Sequence, residues 1–184
     1  MYENQTPTQN LIGEHKGILR MLQILEVVAQ KLKAGADLPQ SHLQRIVDFL
    51  SGFADKCHHG KEEGILIPEM LKGKTDTRLV NEILGEHKTG RDLIRGMKES
   101  LVNYQPGNAE ATHFSLNASD YILLLREHIR KEDEILFPLA DKQFDPAFQK
   151  SLSERFEAWE KDVVGAGVHE KYHNWLSEFK QLYL

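Results

Sequence analysis

The amino-acid sequence predicts an all-α protein whose main body is an up-down-up-down four-helix bundle, and three observations carry that prediction. Apolar residues recur at steps of three and four and hardly ever at two. Breakers cut this pattern into four long segments joined by short loops, as antiparallel neighbours require. The first two segments then recur as a pair in the next two, so the bundle reads as a duplicated αα-hairpin.

The first stripe runs Leu11, His15, Ile18, Leu22, Leu25, Ala29, Leu32. It breaks between Ala34 and Pro39, where Gly35 can end a helix and Pro39 can open the next. The second stripe runs Leu43, Ile46, Leu50, Phe53, Cys57 or His58, Glu62, Ile65 and fades near Gly73. The third, Val80, Ile83, His87, Ile94, Met97, Leu101, ends at Pro106 and Gly107. The fourth runs Phe114, Ala118, Tyr121, Leu125, His128, Glu132, Ile135, Leu139. Asp145 and Pro146 separate this unit from a tail of two shorter helices parted at Gly165-Ala166-Gly167. The organisation expected is a bundle over residues 8–142 and a C-terminal helical extension over 143–184 packed on it.

At 184 residues the chain suits one domain with an appendage. A net charge of -5 gives no basic field to gather phosphates, which argues against nucleic acid and anionic membrane as partners and toward a small ligand. The single cysteine, Cys57, cannot form an internal disulfide, and the start, Met1 to Thr8, is polar, so a reducing cytoplasm is expected. No run of 18 apolar residues is present to span a bilayer. Oligomeric state is left open.

The repeat is sharpest at side chains that bind metals. His58-His-Gly-Lys-Glu62-Glu-Gly-Ile-Leu-Ile-Pro68 matches His128-Ile-Arg-Lys-Glu132-Asp-Glu-Ile-Leu-Phe-Pro138 at an offset of 70, and Leu11 to Lys16 matches Ile83 to Lys88 at an offset of 72. Residues four apart share a helix face. His58 therefore points with Glu62 and His128 with Glu132, while His15 and His87 supply one imidazole each from the other helices. All six lie in apolar stripes, so packing the bundle drives four imidazoles and two carboxylates toward its axis. Buried carboxylates without compensating charge cost several kcal/mol by order of magnitude. Two cations supply it. Imidazole and carboxylate without thiolate suit iron, manganese or zinc, and disfavour an iron-sulfur cluster or a Cys-type zinc site. One His-plus-Glu pair from each half suits two metals bridged by both carboxylates.

The order His15, His58 with Glu62, His87, His128 with Glu132 resembles the hemerythrin-like family, also called the HHE cation-binding domain, over roughly residues 8–142. The resemblance implies a non-haem di-iron protein with these six residues as metal ligands. It also implies that Glu62 and Glu132 bridge the two irons, with an oxo or hydroxo group completing the bridge. The sequence departs from oxygen-carrying hemerythrins, which place a second His one turn before the third-helix ligand and Asp on the fourth helix, where this chain has Ile83 and Glu132. It lacks the cysteine-bearing N-terminal domain of the similar iron-sulfur-cluster repair proteins.

Other residues have two readings. His59 is a rim residue or a seventh ligand, Cys57 a small apolar filler. Glu14, Glu86 and Glu127 precede histidines and, one step off the stripe, read mostly as solvated face. Tyr121 is a core tyrosine with a satisfied hydroxyl or a hydrogen-bond partner near the metals. His169-Glu170-Lys171-Tyr172-His173 matches the zinc-protease pattern, yet lies in the tail with no third ligand nearby, and reads as structural. Three functions remain: binding or sensing of dioxygen, nitric oxide or another small oxidant; an oxidoreductase or iron donor in oxidative or nitrosative stress or cluster repair; and an iron-sequestering module. The first leads, because no separate substrate pocket or acid-base pair is visible and a metal/small-ligand-binding protein fits better than a dedicated enzyme.

Overall fold

The computed structural model describes residues 5–73, 75–165 and 167–184, with the side chain of His169 outside the described set. These residues form six helices and no strand: α1 Pro7–Lys33, α2 40–71, α3 Thr77–Ser100, α4 109–143, α5 146–165 and α6 Val168–Tyr183. The first four occupy the four segments set by the apolar stripes, and the last two are the tail helices.

Their ends follow local chemistry. Thr6 and Gln9 form a reciprocal capping box at the start of α1, with Pro7 at the first helical position where no N–H is missed. Gly35, at φ +76°, closes α1 by letting the Ala36 N–H reach back to the Lys31 carbonyl at 2.9 Å. Asp76, Asn108 and Asp145 each accept a backbone N–H at the start of α3, α4 and α5.

Two prolines lie inside helices rather than ending them. In α2, residues Leu50–His59 and Glu62–Leu66 are π-helical, and in α4 so are Glu132–Leu136. The Ile67 N–H reaches the Glu62 carbonyl and the Phe137 N–H the Glu132 carbonyl, five residues back, immediately before Pro68 and Pro138. A proline ring in an α-helix clashes with the carbonyl four residues earlier and lacks an N–H. The widened turn absorbs both defects, so each helix continues past its proline. π-turns of this kind cluster at functional sites, and these carry His58, His59, Glu62 and Glu132.

The core is split in two. One apolar cluster, including Leu22, Leu25, Phe49, Leu50, Phe114 and Leu125, fills the bundle toward one end. The other, with Leu11, Leu66, Met70, Ile83 and Phe137, fills the opposite end and takes in Leu152 and Phe156 of α5. Between Leu11 and Ile18 on α1, and at the matching level of the other three helices, lies a buried polar layer. Among the described residues no helix is long and apolar enough to cross a membrane.

Candidate metal centre

The polar layer holds all six of the histidines and glutamates expected there, each essentially inaccessible to solvent. The Nε2 atoms of His15 and His58 are 2.8 Å apart, and those of His87 and His128 3.2 Å apart. Glu62 lies between the two pairs, with Oε1 at 3.5 Å from His58 Nε2 and Oε2 at 3.5 Å from His87 Nε2. Glu132 does the same, with Oε2 at 3.3 Å from His15 Nε2 and Oε1 at 3.1 Å from His128 Nε2. Each carboxylate thus turns one oxygen to each pair. The donor atoms gather into two groups that could each hold an ion: His15, His58, Glu62 and Glu132; and His59, Glu62, His87 and His128.

His59 therefore faces the centre, against the rim reading. Its ring stacks on His87 with centroids 3.9 Å apart and is 3 % exposed. At the angular step of an α-helix, His58 and His59 cannot both face inward squarely. The π-helical run that ends at His59 widens the turn and brings both imidazoles to the axis.

Outside the histidines stands a ring of carboxylates, two of which, Glu14 and Glu86, the stripe reading assigned to solvated face. His58 Nδ1 donates to Glu14 at 2.8 Å, His128 Nδ1 to Glu86 at 2.9 Å, His87 Nδ1 to Glu63 at 2.7 Å and His15 Nδ1 to Asp133 at 2.8 Å. The pairs obey the internal repeat: Glu14 corresponds to Glu86 and Glu63 to Asp133. Glu14 and Glu86 point off the stripe, as expected, but in a bundle that direction meets the neighbouring helix rather than water. Only Glu127 of the three is well exposed, and it pairs with Arg130. The available signal was the repeat itself, which carries these acids along with the ligands.

Electrostatics make the same division. Burial works to raise the Glu14 carboxyl, but Lys61 and then His58 outweigh it and hold it at about 2. Being ionised, Glu14 can only accept, so His58 must donate from Nδ1. Burial raises Glu62 far above the usual carboxylate range, helped by the charge of Glu132, whereas His128 outweighs burial and holds Glu132 far below it. His58 is driven down to about 4 by burial and by His15. His128 goes up to about 9, burial being overcome by Glu132.

These groups could hold metal ions. With Nδ1 of His15, His58, His87 and His128 each committed to a carboxylate, their Nε2 atoms turn to one another in pairs at 2.8 and 3.2 Å, where a cation could take the place of the proton shared within each pair. All four oxygens of Glu62 and Glu132 and both ring nitrogens of His59 are buried without a hydrogen bond, though Asp55 Oδ1 lies 3.4 Å from His59 Nδ1. Buried polar atoms are otherwise almost always paired. The donors are nitrogen and oxygen, and neither of these two groups of four includes Cys57.

The remaining singled-out residues separate. Cys57 is buried with its thiol pushed up to about 12, chiefly by desolvation, as suits a filler. Tyr121 is fully buried and its hydroxyl has no hydrogen-bond partner, which corrects the reading of a satisfied core tyrosine. Tyr172 of the tail motif packs on Phe49 and Phe53, and His173 lies against Phe53, while the His169 side chain is outside the described residues.

A four-helix bundle with two adjoining His and carboxylate groups at its centre defines a class of cation-binding helical proteins. Residues 6–140 match the hemerythrin HHE cation binding domain, and the chain belongs to that family. It is accordingly a metal-binding helical protein of hemerythrin type. No curated protein and no solved structure matches the chain.

Proposed function

We propose that the chain holds two iron ions through His15, His58, Glu62, His87, His128 and Glu132, with His59 as a seventh ligand, and that it binds dioxygen, nitric oxide or another small oxidant there. Glu62 and Glu132 serve both ions, since each offers one oxygen to each histidine pair. Bound iron would supply a redox-active Lewis acid, while the protein supplies a dry, histidine-rich setting whose outer carboxylates fix the imidazole tautomers.

The observation that carries the small-ligand reading is a break in the repeat. His59 has as its second-half counterpart Ile129, which is buried and apolar. One group therefore has three imidazoles and the other two. If both carboxylates serve both ions, the group with two imidazoles has one protein ligand fewer than the other, which leaves a position for a small diffusible molecule.

Iron per chain and the optical spectrum of the oxidised protein, with and without azide or nitric oxide, test this. About two irons per chain and new charge-transfer bands on adding either ligand are expected. A protein without iron, or a di-iron protein whose spectrum ignores both ligands, refutes it.

A further inference from the structure

We propose that Glu160, in the C-terminal tail, is a positioning residue for the metal centre, acting through Lys61 and Glu14 on His58; this rests on the metal-binding reading above.

The inference comes from comparing the two halves of the repeat. In the second half, Lys131 binds Glu86, the carboxylate that accepts from His128, at 2.6 Å, and its other partner is Glu82 of the same half. In the first half, Lys61 binds Glu14, the carboxylate that accepts from His58. The counterpart of Glu82 there is Asn10, which is uncharged and reaches Lys61 only at 3.5 Å. The missing carboxylate is supplied from outside the repeat, by Glu160 on α5, at 2.7 Å from Lys61 Nζ. Glu14 uses Oε1 for Lys61 and Oε2 for His58, so the relay from Glu160 to the imidazole is continuous.

A second break in the repeat explains how the tail is held there. Arg130 and Glu134 of the second half are exposed and paired with each other, but their counterparts are Gly60 and Gly64. The indole of Trp159 fills this flat seat, so close that a Cβ at Gly60 would meet it at 2.7 Å and one at Gly64 at 3.1 Å. Its Nε1 donates to the Lys56 carbonyl at 3.2 Å, inside the π-helical run. Charge and shape are thus both removed from the first half at the places where the tail restores them.

The two relays differ in their surroundings. Lys61 is 0 % exposed, whereas Lys131 is 18 % exposed and water can balance it. Without Glu160 the whole Lys61 charge would fall on Glu14. Glu14 would then accept more weakly from His58, and His58 would become a poorer donor to its metal.

The full-length protein is loaded with iron, and Glu160→Gln, Glu82→Gln and the double variant Asn10→Glu with Glu160→Gln are compared with it. The measurements are the rate of iron loss to a chelator and the midpoint potential of the centre, each on protein shown by circular dichroism to be folded. Glu160→Gln should release iron about tenfold faster, the low end of outer-shell effects, and raise the potential, because a poorer donor stabilises the oxidised ions less. Glu82→Gln should change both much less, and the double variant should return both toward wild type by restoring a carboxylate within the first half. A Glu160→Gln protein that melts earlier but keeps the wild-type release rate and potential has lost only packing, and overturns the proposal. So does an equal effect of Glu82→Gln. A wild-type protein that holds no iron overturns the metal reading itself, and is told apart from these by its iron content.

Discussion

Removing the metals should destabilise this bundle far more than removing a surface ligand would, and the size follows from the polar layer. Six buried atoms, the four oxygens of Glu62 and Glu132 and the two ring nitrogens of His59, have no hydrogen bond among the described residues. Leaving a buried polar atom unsatisfied costs about 1 to 3 kcal/mol, so the site can absorb several kcal/mol of metal binding as folding free energy. With free metal at a thousandfold excess over Kd, linkage contributes roughly 4 kcal/mol. At about 2 to 4 °C per kcal/mol for a chain of this size, chelation should lower Tm by about 8 to 16 °C. The assay is calorimetry or circular dichroism melting of iron-loaded protein before and after exhaustive chelation, with elemental analysis of both samples. An iron-free form melting within a degree or two of the loaded one would refute the argument that the buried layer is completed by metal.

Three other outcomes follow from the geometry. Glu62→Ala or Glu132→Ala, each removing an oxygen from both histidine pairs, should take iron from about two per chain toward one or none, whereas His15→Ala or His87→Ala should retain more; full retention in both Glu variants, by elemental analysis, sinks the bridging role. His59→Ala should keep the fold and the outer carboxylates but weaken the group containing His87 and His128, which is read as loss of one iron to a mild chelator at a rate about 10 to 100 times that of wild type. Metal uptake should be pH-dependent with a definite sign. His128 lies at about 9, so at neutral pH it carries a proton that a metal must displace, and His15 is shifted in the same direction by Asp133 and Glu132. Anaerobic ferrous binding should release protons into weak buffer and weaken as pH falls from 8 to 6, by about tenfold per unit for each proton released; pH-independent binding over that range contradicts it.

The helices, their order and the six central residues are legible in the chain because each is a local signal. Apolar spacing sets four helices, Gly35 marks the end of α1 through its positive φ, and the repeat at offsets of 70 and 72 aligns His15 with His87 and His58–Glu62 with His128–Glu132. Those motifs also carry the resemblance to the family over roughly residues 8–142, and the family match spans residues 6–140.

What the sequence by itself left undetermined depends on helix geometry and on neighbours distant in the chain. A fixed angular step per residue cannot place His59, because the turn that carries it is π-helical, and Pro68 and Pro138 do not reveal from sequence that they sit inside such turns rather than at helix ends. Glu14 and Glu86 face away from their own stripe, and only the packing of α1 on α2 and of α3 on α4 turns that direction into a hydrogen bond with His58 and His128. The seat of Trp159 on Gly60 and Gly64, and the reach of Glu160 to Lys61 across 99 positions of chain, exist only once α5 is docked. Periodicity reports which residues are buried together, since burial follows the helix face. Which polar atom meets which partner is decided by the angle and depth at which one helix packs on another, and that is a property of the tertiary structure alone.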